Sequence, residues 1–497
     1  MRLRQVITVG SDTPEGDPLF DMCPVWLASP ETVAQVFPRR ELFDVVIFDE
    51  ASQCRLEEAL PVLTRAKRVV IAGDPKQLPP TRFFEAAIST SQDDPIVDEQ
   101  DVFEAQQSEV EDLLAAALNL QVQESYLDVH YRSRNADLIG FSNEQFYRNR
   151  LQPIPGHPRN IAVTPPIALH RVNGLYEERA NVDEAKYVCE LIADLLKEKD
   201  SPSIGVATFN LVQRDLIADM LDEMAGEDAA FGRRLAAARE RRGEGSFEGL
   251  FVKNLENVQG DERDHIIIST GYGPNNEGKF YRRFGPLRQA GGGRRLNVLV
   301  TRAREKVHLV TSIPPEVYAS ATPIPQGVTP NGAWLLFAYL RYAQLLEEVY
   351  ATDKQSQPEQ ADVSARVAAE VKHQPIEPSS KFAAALGQRI AQDAGISSEV
   401  HWGNEGFCVD AALLHPANTG DVSVGLLTDF NRYRYASDPV AWESYRMGIL
   451  QWQGWQLRHV WSPTYLRDAM RVQNSIAAEH TKLVAPQTHS HETESDA

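Results

Sequence analysis

Two adjacent carboxylates follow an apolar run near the start of the 497-residue chain. Asp49 and Glu50 end the segment FDVVIFDE (43–50), whose apolar residues predict a buried strand. A carboxylate pair after such a strand suits hydrolysis of a nucleoside triphosphate, because the first can hold Mg²⁺ and the second can polarise the attacking water. Asp-Glu pairs are frequent in proteins, so this pair alone is weak evidence for that chemistry.

A second polar group follows the next apolar run. The segment RVVIAGD (68–74) ends in Asp74, and Gln77 follows within GDPKQLPP. The carboxyl ends of neighbouring parallel strands meet at one edge of a sheet, where ligands of α/β proteins usually bind. We therefore expect Gln77 to lie near Asp49 and Glu50, where its amide can sense a γ-phosphate.

Three further segments bring polar and cationic side chains to places beside predicted strands. A guanidinium near a strand can reach across a cleft to the charge that develops on a phosphate. The candidates are Tyr131 and Arg132 in HYRSR, Gln259, Gly260 and Glu262 in NVQGDERD, and Arg302 in RRLNVLVTRAR.

Five short apolar runs alternate with helical patterns. Runs that are apolar at every position are typical of parallel strands covered on both faces, and the alternation predicts an α/β fold. One helix is predicted to begin after Ser29, an N-cap with Pro30 at the first helical position, and another covers 210–226. The predicted strands are 43–50, 68–74, 204–210, 265–273 and 306–312.

The pattern changes after residues 351–379, a polar segment that predicts a linker. Ser380 is then the predicted N-cap of a helix, and the strand-like segments GFCVDAALLHP, VSVGLLTDF and WQLRHVWS follow. These elements predict a compact α+β module. Residues 82–124 are predicted to be an acidic insertion and residues 481–497 a disordered tail.

The charge balance argues against nucleic-acid binding through a global positive field. The formal net charge is −20 and the pI is near 5.1. Such binding must therefore use local basic patches, for which 232–242 and 279–306 are the candidates. For 232–242 the alternative is an exposed, solvated helix face.

The four cysteines, Cys23, Cys54, Cys189 and Cys408, lack the spacing of a disulfide framework or a zinc site. We expect buried, reduced thiols. The sequence shows no apolar run of ~18 residues and no apolar stretch of a secretory signal, which predicts a cytoplasmic location and no membrane contact.

The segments DEASQ, GDPKQLPPT, HYRSR, ENVQGDERD and RRLNVLVTRAR closely resemble, in this order, motifs II to VI of superfamily 1 helicases of the DEAxQ type. The resemblance runs from Pro24 to Ser312 and implies two RecA-like lobes, with ATP between them and a nucleic-acid strand across their top. It implies that Asp49 is the magnesium residue, Glu50 the water residue and Gln77 the γ-phosphate sensor. By the same resemblance, Arg132 and Arg302 are arginine fingers, Tyr131 stacks near a base, Glu262 contacts the ribose, and Gln53, Asp74, Gln259 and Gly260 are further nucleotide-binding residues.

Such an ATPase also needs a phosphate-binding loop, G-x-x-x-x-G-K-[ST], upstream of the DEAxQ strand, and no such pattern occurs before Asp49. The segment GPNNEGKF (273–280) contains Gly-x4-Gly-Lys, but Phe280 stands where a hydroxyl must hold Mg²⁺ and no apolar helix follows. We interpret it as a glycine-rich loop. The first lobe is therefore expected to be incomplete, either because the chain is a fragment or a split reading frame, or because a second polypeptide supplies the loop.

The C-terminal module resembles the very-short-patch-repair-type endonuclease domains of the restriction-endonuclease-like fold over residues 380–470, chiefly through GWQLRHVWS. Asp410 and Asp429 occupy the positions of metal-binding carboxylates, and strand cleavage needs several such groups around Mg²⁺. We interpret the module as a degenerate nuclease, because positions where the resemblance implies two acidic residues and a histidine hold Ala383, Leu427 and Arg434.

The predicted architecture is α/β, with an incomplete first and a complete second RecA-like lobe followed by a small α+β restriction-endonuclease-like domain. The predicted function is part of an ATP- and Mg²⁺-dependent superfamily 1 helicase or translocase that acts on single-stranded or duplex DNA, or on RNA. The alternative is an inactive subunit that binds nucleic acid or a partner. The predicted domains are 1–120 for the first lobe, 121–330 for the second, 331–379 for a helix and linker, 380–480 for the endonuclease-like domain and 481–497 for the tail.

Overall fold

The computed structural model contains two compact units, Met1–Tyr126 and Leu127–Ala497, here called unit 1 and unit 2. Each unit has its own sheets and its own apolar cores. The structure describes residues 18–78, 112–120, 122–154, 156–157, 164–243, 247–282, 284–288, 291–319, 330–355, 381–402, 408–416, 421–429 and 439–484.

Unit 1 is built on two parallel strands, β1 (Phe43–Phe48) and β2 (Ala66–Ile71), at the two positions that the sequence predicts. The helix predicted after Ser29 is also present, because the Ser29 hydroxyl accepts a hydrogen bond from the backbone N–H of Thr32 at 3.3 Å. The helices described in this unit are α1 (Pro18–Met22), α2 (Pro30–Val36), α3 (Leu56–Leu63) and α4 (Leu113–Asn119).

The core of unit 1 lies on one face of this small sheet, where Phe48 packs with Leu113 of α4. On the opposite face Val45, Ile47 and Val70 are 38%, 68% and 50% exposed. The prediction that both faces are covered is therefore wrong for β1 and β2. The physical reason is that α2, α3 and α4 each contribute apolar residues to the one core.

Unit 2 begins with a short parallel pair, β3 (Val129–His130) and β4 (Gln152–Pro153), joined through helix α5 (Asp137–Tyr147). The segment HYRSR follows directly from β3 and leads into α5. Its course is therefore determined at both ends by regular structure.

A five-stranded parallel sheet forms the centre of unit 2. In one central strand Ile266 and Ile268 belong to one core and Ile267 to the other, as a period of two requires when both faces are buried. The predicted parallel sheet flanked by helices is thus confirmed. Its strands, from edge to edge, are β5 (Ile167–Arg171), β9 (Ala303–Thr311), β8 (Arg263–Ser269), β6 (Ile204–Thr208) and β7 (Phe251–Asn254).

Helices cover both faces of this sheet. One core contains residues of α6 (Val182–Leu195), α7 (Leu211–Glu227) and α8 (Ala229–Arg239). The other contains residues of α9 (Gly292–Val300), α10 (Pro315–Ala319) and α11 (Gly332–Gln355). Among the described residues, no helix combines the length and apolarity needed to cross a membrane.

The C-terminal module has a four-stranded sheet, antiparallel except for its last, parallel pair, and is α+β as predicted. Sequence reasoning missed its first strand, SEVHW, because this segment carries a glutamate and a histidine in place of an apolar run. The elements are α12 (Lys381–Ala394), β10 (Ser398–Trp402), β11 (Val409–Leu414), β12 (Val422–Thr428), α13 (Pro439–Trp452), β13 (Leu457–Val460), α14 (Ser462–Arg467) and α15 (Ala469–Val484).

Some predictions fall on residues that the structure does not describe. Most of the acidic insertion, all of the linker from 356 on, the predicted cap Ser380 and Arg434 lie outside the described residues. Residues 481–484 are an exception in the predicted tail, because α15 continues through them to Val484.

The cysteines are free thiols, and two of them are buried as predicted, Cys189 in unit 2 and Cys408 in the C-terminal module. Burial raises the pKa of Cys189 to about 12, so this thiol stays protonated and inert. Cys23 is exposed, which corrects the expectation of burial for that residue.

Three histidines form a hydrogen-bonded ladder across β5, β9 and β8. His170 Nε2 lies 3.1 Å from His308 Nδ1, and His308 Nε2 lies 3.2 Å from His265 Nδ1. The Tyr187 hydroxyl, 2.8 Å from His170 Nδ1, extends the ladder onto α6. Burial, together with the charge of Lys306, lowers the pKa of His170 and of His265 to about 4.

This ladder predicts a loss of stability on acidification. The folded state keeps His170 and His265 neutral, whereas the unfolded chain takes up protons below pH 6.5, so their contribution is complete above pH 6.5 and is lost as the pH falls towards 4. The unfolding free energy of the unmodified chain should therefore fall between pH 6.5 and pH 4. His170→Gln or His265→Gln should make this fall smaller by about 2 kcal/mol. Urea unfolding at a series of pH values measures the unfolding free energy.

The matched control for this prediction is Lys186→Gln, an exposed position on the same helix as Tyr187. The control should keep the full pH dependence of the unmodified chain. An identical pH dependence in the unmodified chain and both histidine variants would contradict the account.

Candidate functional site

The carboxyl ends of β1 and β2 are joined by backbone hydrogen bonds. The N–H of Ala72 donates to Phe48 O, and the N–H of Ala51 donates to Ala72 O, both at 2.8 Å. A Cβ atom on Gly73 would lie 3.1 Å from the nitrogen of Ser52, so the backbone approach favours glycine there. The two segments after β1 and β2 are therefore neighbours, as the sequence predicts.

The predicted magnesium and water residues, Asp49 and Glu50, are both exposed at this edge. Asp49 Oδ1 accepts a hydrogen bond from the Glu50 N–H at 3.0 Å, and Glu50 Oε2 accepts one from Gln53 Nε2 at 3.2 Å. Glu50 has a left-handed backbone, with φ 53° and ψ 42°. Such a conformation is uncommon outside glycine and turns the chain sharply after the strand. Both carboxylates are consequently accessible to a ligand.

The second group at this edge is Asp74 and Gln77. Asp74 Oδ1 accepts from the Lys76 N–H at 2.8 Å, and Asp74 Oδ2 accepts from Gln77 Nε2 at 3.2 Å. Gln77 Oε1 is buried without a hydrogen-bond partner in the described part of unit 1. A buried acceptor without a partner costs free energy, so this atom suits a donor from a ligand or water. In this conformation the amide N–H₂ is used by Asp74, and a direct bond to a phosphate oxygen would require a rotation of the side chain.

In unit 2 the predicted residues gather at the amino ends of β8 and β9. The register pairs Arg263 with Ala303, so Glu262 and Arg302, which precede them, are neighbours. The N–H of Arg263 donates to Arg302 O at 3.3 Å. The expected position at the carboxyl ends of strands is therefore correct for the candidates of unit 1, whereas Glu262 and Arg302 come directly before their strands, as the sequence predicts.

Arg132, one of the predicted fingers, forms an ion pair with Glu262, the predicted ribose contact. The side chains of both are about one-third exposed, at 33% each. Two residues later, the N–H of Arg134 donates to Arg304 O at 2.8 Å, and its guanidinium pairs with Glu305. The HYRSR segment is thus attached to the amino ends of both central strands.

The other predicted finger, Arg302, points inward. It is 3% exposed, and its Nε donates to Val298 O at the end of α9 at 2.7 Å. Cations are favourable at the carbonyl end of a helix, which stabilises this conformation. Contact with a phosphate would require another rotamer, so the role of Arg302 as a finger stays a prediction.

The remaining predicted residues of unit 2 differ in accessibility. Tyr131 is 60% exposed and can offer a ring face to a base. Gly260 has φ +84°, a value that favours glycine in the turn before β8. Gln259 Nε2 is buried and lacks a hydrogen-bond partner among the described residues.

The predicted basic patches are partly neutralised by ion pairs. In the segment 232–242, Arg239 pairs with Asp222 and Arg241 with Glu248, which favours the exposed, solvated helix face. In the segment 279–306, Arg295 pairs with Glu256 and Arg304 with Asp264, at 3.3 Å and 2.9 Å. The exposed cations described in the second segment are Lys279, Arg282, Arg288 and Arg294.

A buried carboxylate that sequence reasoning missed lies at the other end of the sheet. Glu184 of α6 is fully buried, and its oxygens accept from the N–H of Gly271 at 2.8 Å and of Ser312 at 2.6 Å. The hydroxyls of Ser269 and Thr270 donate to it as well. Burial raises the pKa of Glu184 to about 7, against the effect of these donors. In the sequence, the only signal was an acidic residue in the first turn of a helix.

The loop with Gly-x4-Gly-Lys does not have the structure of a phosphate-binding loop. Asn275 N–H donates to Lys279 O at 2.9 Å, which closes a turn, and Lys279 pairs with Glu277 at 2.9 Å. The described residues that follow it are irregular up to a short 3₁₀ turn at Gly285–Leu287. A phosphate cradle requires the start of a helix at this place. The interpretation as a glycine-rich loop is therefore favoured.

The candidate carboxylates of the C-terminal module are both engaged by protein groups. Asp410 is fully buried, accepts from the Thr428 N–H at 2.6 Å and lies 3.8 Å from the Arg446 guanidinium. Asp429 accepts from the N–H and hydroxyl of Ser462 at 3.0 and 2.8 Å. Within the described residues, no group of three or more His, Cys, Asp or Glu could hold a metal. The metal-binding role of the two aspartates stays a prediction.

Two positions that depart from the nuclease pattern are core residues. Ala383 of α12 and Leu427 of β12 are 0% and 1% exposed. A carboxylate at either place would have to be buried, at a high cost in desolvation unless a cation or several donors compensated it.

Comparison with known proteins gives two family matches, both described as AAA domains. One model matches residues 31–84, which include both strands of unit 1, and the other matches residues 105–313, which include the whole parallel sheet of unit 2. Neither model extends into the C-terminal module.

Among curated proteins, an uncharacterized ATP-dependent helicase of Mycoplasma genitalium is 36% identical over 328 residues. The match covers 65% of this chain and 27% of that protein, so the chain spans about a quarter of the relative's length. The helicase sen1 of Schizosaccharomyces pombe is 26% identical over 287 residues, which cover 54% of this chain and 14% of the yeast protein.

Among solved structures, the C-terminal domain of a possible DNA helicase from Lactobacillus plantarum aligns with 36% of this chain and 86% of its own length, at 17% identity and a TM-score of 0.20. That similarity is too low to carry an assignment. The two AAA-domain matches and the helicase relatives support a superfamily 1 helicase relationship for this chain.

Proposed function

We propose that this chain is part of an ATP-dependent superfamily 1 helicase or translocase that acts on nucleic acid, with DNA as the first candidate and RNA as the second. The observation that carries the proposal is the ion pair of Arg132 with Glu262 at the amino ends of β8 and β9, beside the backbone of Arg302. These residues come from three separate segments of the sequence. Arginine and glutamate side chains are among those that bind a nucleoside triphosphate and assist its hydrolysis.

In unit 1, Asp49 would hold the Mg²⁺ that accompanies ATP, and Glu50 would polarise water. Both carboxylates are exposed and lie next to the Asp74–Gln77 group, which supports these assignments. Gln53 holds Glu50 by a 3.2 Å hydrogen bond and would orient its carboxylate. The crevice that Glu50 and Arg302 are predicted to share involves both units and stays a prediction.

In unit 2, Arg132 and Glu262 neutralise each other. A phosphate group that binds Arg132 must compete with Glu262, and the released Glu262 is then available for a ribose hydroxyl. A bound nucleotide would therefore make two contacts, its phosphate with Arg132 and its ribose with Glu262, in place of the Arg132–Glu262 ion pair. Because the pair is partly exposed, its opening costs little, about 1 kcal/mol or less.

The phosphate-binding loop would be supplied by another polypeptide or by a further part of the same protein. The exposed apolar face of β1 and β2, with Val45, Ile47 and Val70, supports this proposal, because parallel strands are usually covered on both faces. The alternative function is an inactive subunit that binds nucleic acid or a partner. The inward conformation of Arg302 favours this alternative for the chain by itself.

The C-terminal module is proposed to be a nuclease-like domain that has lost cleavage. Asp410 is buried beside Arg446 and Thr428, so a metal ion would have to displace a guanidinium and a backbone donor. The apolar residues Ala383 and Leu427 further reduce the number of oxygen ligands.

The first prediction concerns ATP hydrolysis by the purified chain. Without a phosphate-binding loop, hydrolysis should be no faster than that of an Asp49→Ala/Glu50→Gln variant, with or without single-stranded DNA. A phosphate-release assay measures the rate. Robust DNA-stimulated turnover that the double substitution abolishes would show that the chain is a complete ATPase.

The second prediction concerns nucleic-acid binding, which does not require the loop. Tyr131→Ala should weaken binding of single-stranded DNA about 10-fold, because stacking on one aromatic ring contributes roughly 1–3 kcal/mol. Fluorescence anisotropy with labelled single-stranded DNA and RNA, at two salt concentrations, measures the affinity. The matched control is Tyr445→Ala, an equally exposed tyrosine in the C-terminal module.

Equal affinities of the unmodified chain and the Tyr131→Ala variant would remove the stacking role of this residue. If the unmodified chain binds neither DNA nor RNA, the helicase proposal loses its support for this chain and the partner-binding alternative remains.

The third prediction concerns nuclease activity. Incubation of supercoiled plasmid with the chain and Mg²⁺ or Mn²⁺ should give no more nicked product than the same incubation with an Asp410→Ala variant, as judged by gel electrophoresis. Metal-dependent nicking that Asp410→Ala abolishes would contradict the proposal that the module has lost cleavage.

A further inference from the structure

The HYRSR loop (residues 130–134) is bound by the C-terminal module, although the two are about 300 residues apart in the sequence. Gln453 Nε2 donates to Ser133 O at 3.3 Å. The guanidinium of Arg134 lies over the ring of Trp452, at 5.3 Å from its centroid. Trp452 and Gln453 are the last residue of α13 and the first residue after it.

A shared apolar core supports this contact. Ile154, which follows β4, is 3% exposed in a cluster with Trp455 and the inner residues of β11 and β12. The N–H of His157 donates to Gln453 O at 3.1 Å, and the His157 and Trp455 rings lie 5.1 Å apart. Gln453 is itself only 1% exposed. The module is therefore anchored to the β3–β4 segment by buried contacts.

On its other side the same loop is attached to the parallel sheet. Arg132 pairs with Glu262, and the N–H of Arg134 donates to Arg304 O at 2.8 Å. The Arg134 guanidinium, which covers Trp452, also pairs with Glu305. The loop thus lies between the module and the amino ends of β8 and β9, and each of its last three residues has a contact to one or both.

The polar contacts of the loop differ in strength. The ion pairs of Arg132 and Arg134 are partly exposed, and such pairs contribute little to order. The Gln453 bond is buried, and a buried polar group that loses its partner is costly. The module therefore helps to hold the Ser133 carbonyl in place. Because Arg132 directly precedes Ser133, this contact also restricts the direction in which the Arg132 side chain leaves the backbone.

We propose that the turn 452–455 of the C-terminal module is a positioning element for the Arg132 loop, so that the module orients a ligand-binding arginine of the helicase-like unit. This inference rests on the proposed function for the role of Arg132 and goes beyond it in assigning a task to the module. Trp452 and Gln453 are positioning residues that act through Ser133 and Arg134.

The first test measures the loop directly, by hydrogen–deuterium exchange of the full chain. Trp452→Ala and Gln453→Ala should speed exchange in peptides that cover residues 131–135 at least 10-fold. Trp452→Phe keeps a ring under Arg134 and should restore slow exchange. Tyr445→Ala, on the same helix and 69% exposed, is the matched control and should leave the loop unchanged.

The second test measures function through binding of single-stranded DNA by anisotropy. Trp452→Ala and Gln453→Ala should weaken the affinity about 5-fold, because the loop that they hold also carries Tyr131, the proposed stacking residue, whereas Trp452→Phe and Tyr445→Ala should not. Trp452 is 42% exposed, so its replacement leaves the core intact and keeps the test valid if Gln453→Ala fails to fold.

The outcomes separate this inference from the proposed function. Unchanged loop exchange in the Trp452→Ala variant overturns the inference, whatever the chain binds. Faster exchange with unchanged DNA affinity also overturns it, because the loop would then be held without consequence for the ligand. If the unmodified chain binds no nucleic acid while loop exchange responds as expected, the proposed function fails and the positioning contact stands.

Discussion

The parallel pairing of β8 with β9 is the interaction on which the rest of unit 2 depends. It places Arg263 opposite Ala303, and so brings together two loops that are about 40 residues apart in the sequence. Glu262, Arg302 and Arg304 become neighbours at the amino ends of the strands. Because both faces of the sheet are buried, a shift of register by one residue would move a whole row of isoleucines from one core to the other. The pairing continues to Arg263 and Ala303 through one register irregularity, between Arg263 and His265, so the site residues adjoin the core ladder at this irregularity.

The same sheet holds two polar clusters of opposite character. At the carboxyl ends, Glu184 is buried and has four donors from the end of β8 and from residues that follow β8 and β9, so it ties these ends together. At the amino ends, the charges pair with one another and are partly exposed, as for Arg132 and Glu262. A ligand can exchange partners with exposed pairs at low cost, whereas the Glu184 cluster would lose several buried hydrogen bonds. Within this sheet, a ligand would therefore exchange partners more readily at the amino ends than at the carboxyl ends.

In the C-terminal module the carboxylate of Asp410 is held by protein groups. A carboxylate that binds a metal must be open to it, whereas Asp410 is enclosed by Thr428 and Arg446. Burial raises the pKa of Asp410, and Arg446 opposes that rise. The turn of the module after α13 is bound to the loop that carries Arg132. The loop thus connects the module with the amino ends of β8 and β9.

Several features followed from the sequence alone, because they depend on local patterns. The apolar runs determined the five predicted strands, the Ser29 cap determined the start of α2, and the order of the motifs indicated the helicase relationship. Patterns of this kind cannot show which charges will neutralise each other, since the Arg132–Glu262 pair joins residues 130 positions apart. They also gave no sign of the buried Glu184, of the exposed face of β1 and β2, or of the contact between Gln453 and Ser133. Tertiary structure decided these features, because burial and pairing depend on which segments meet in space.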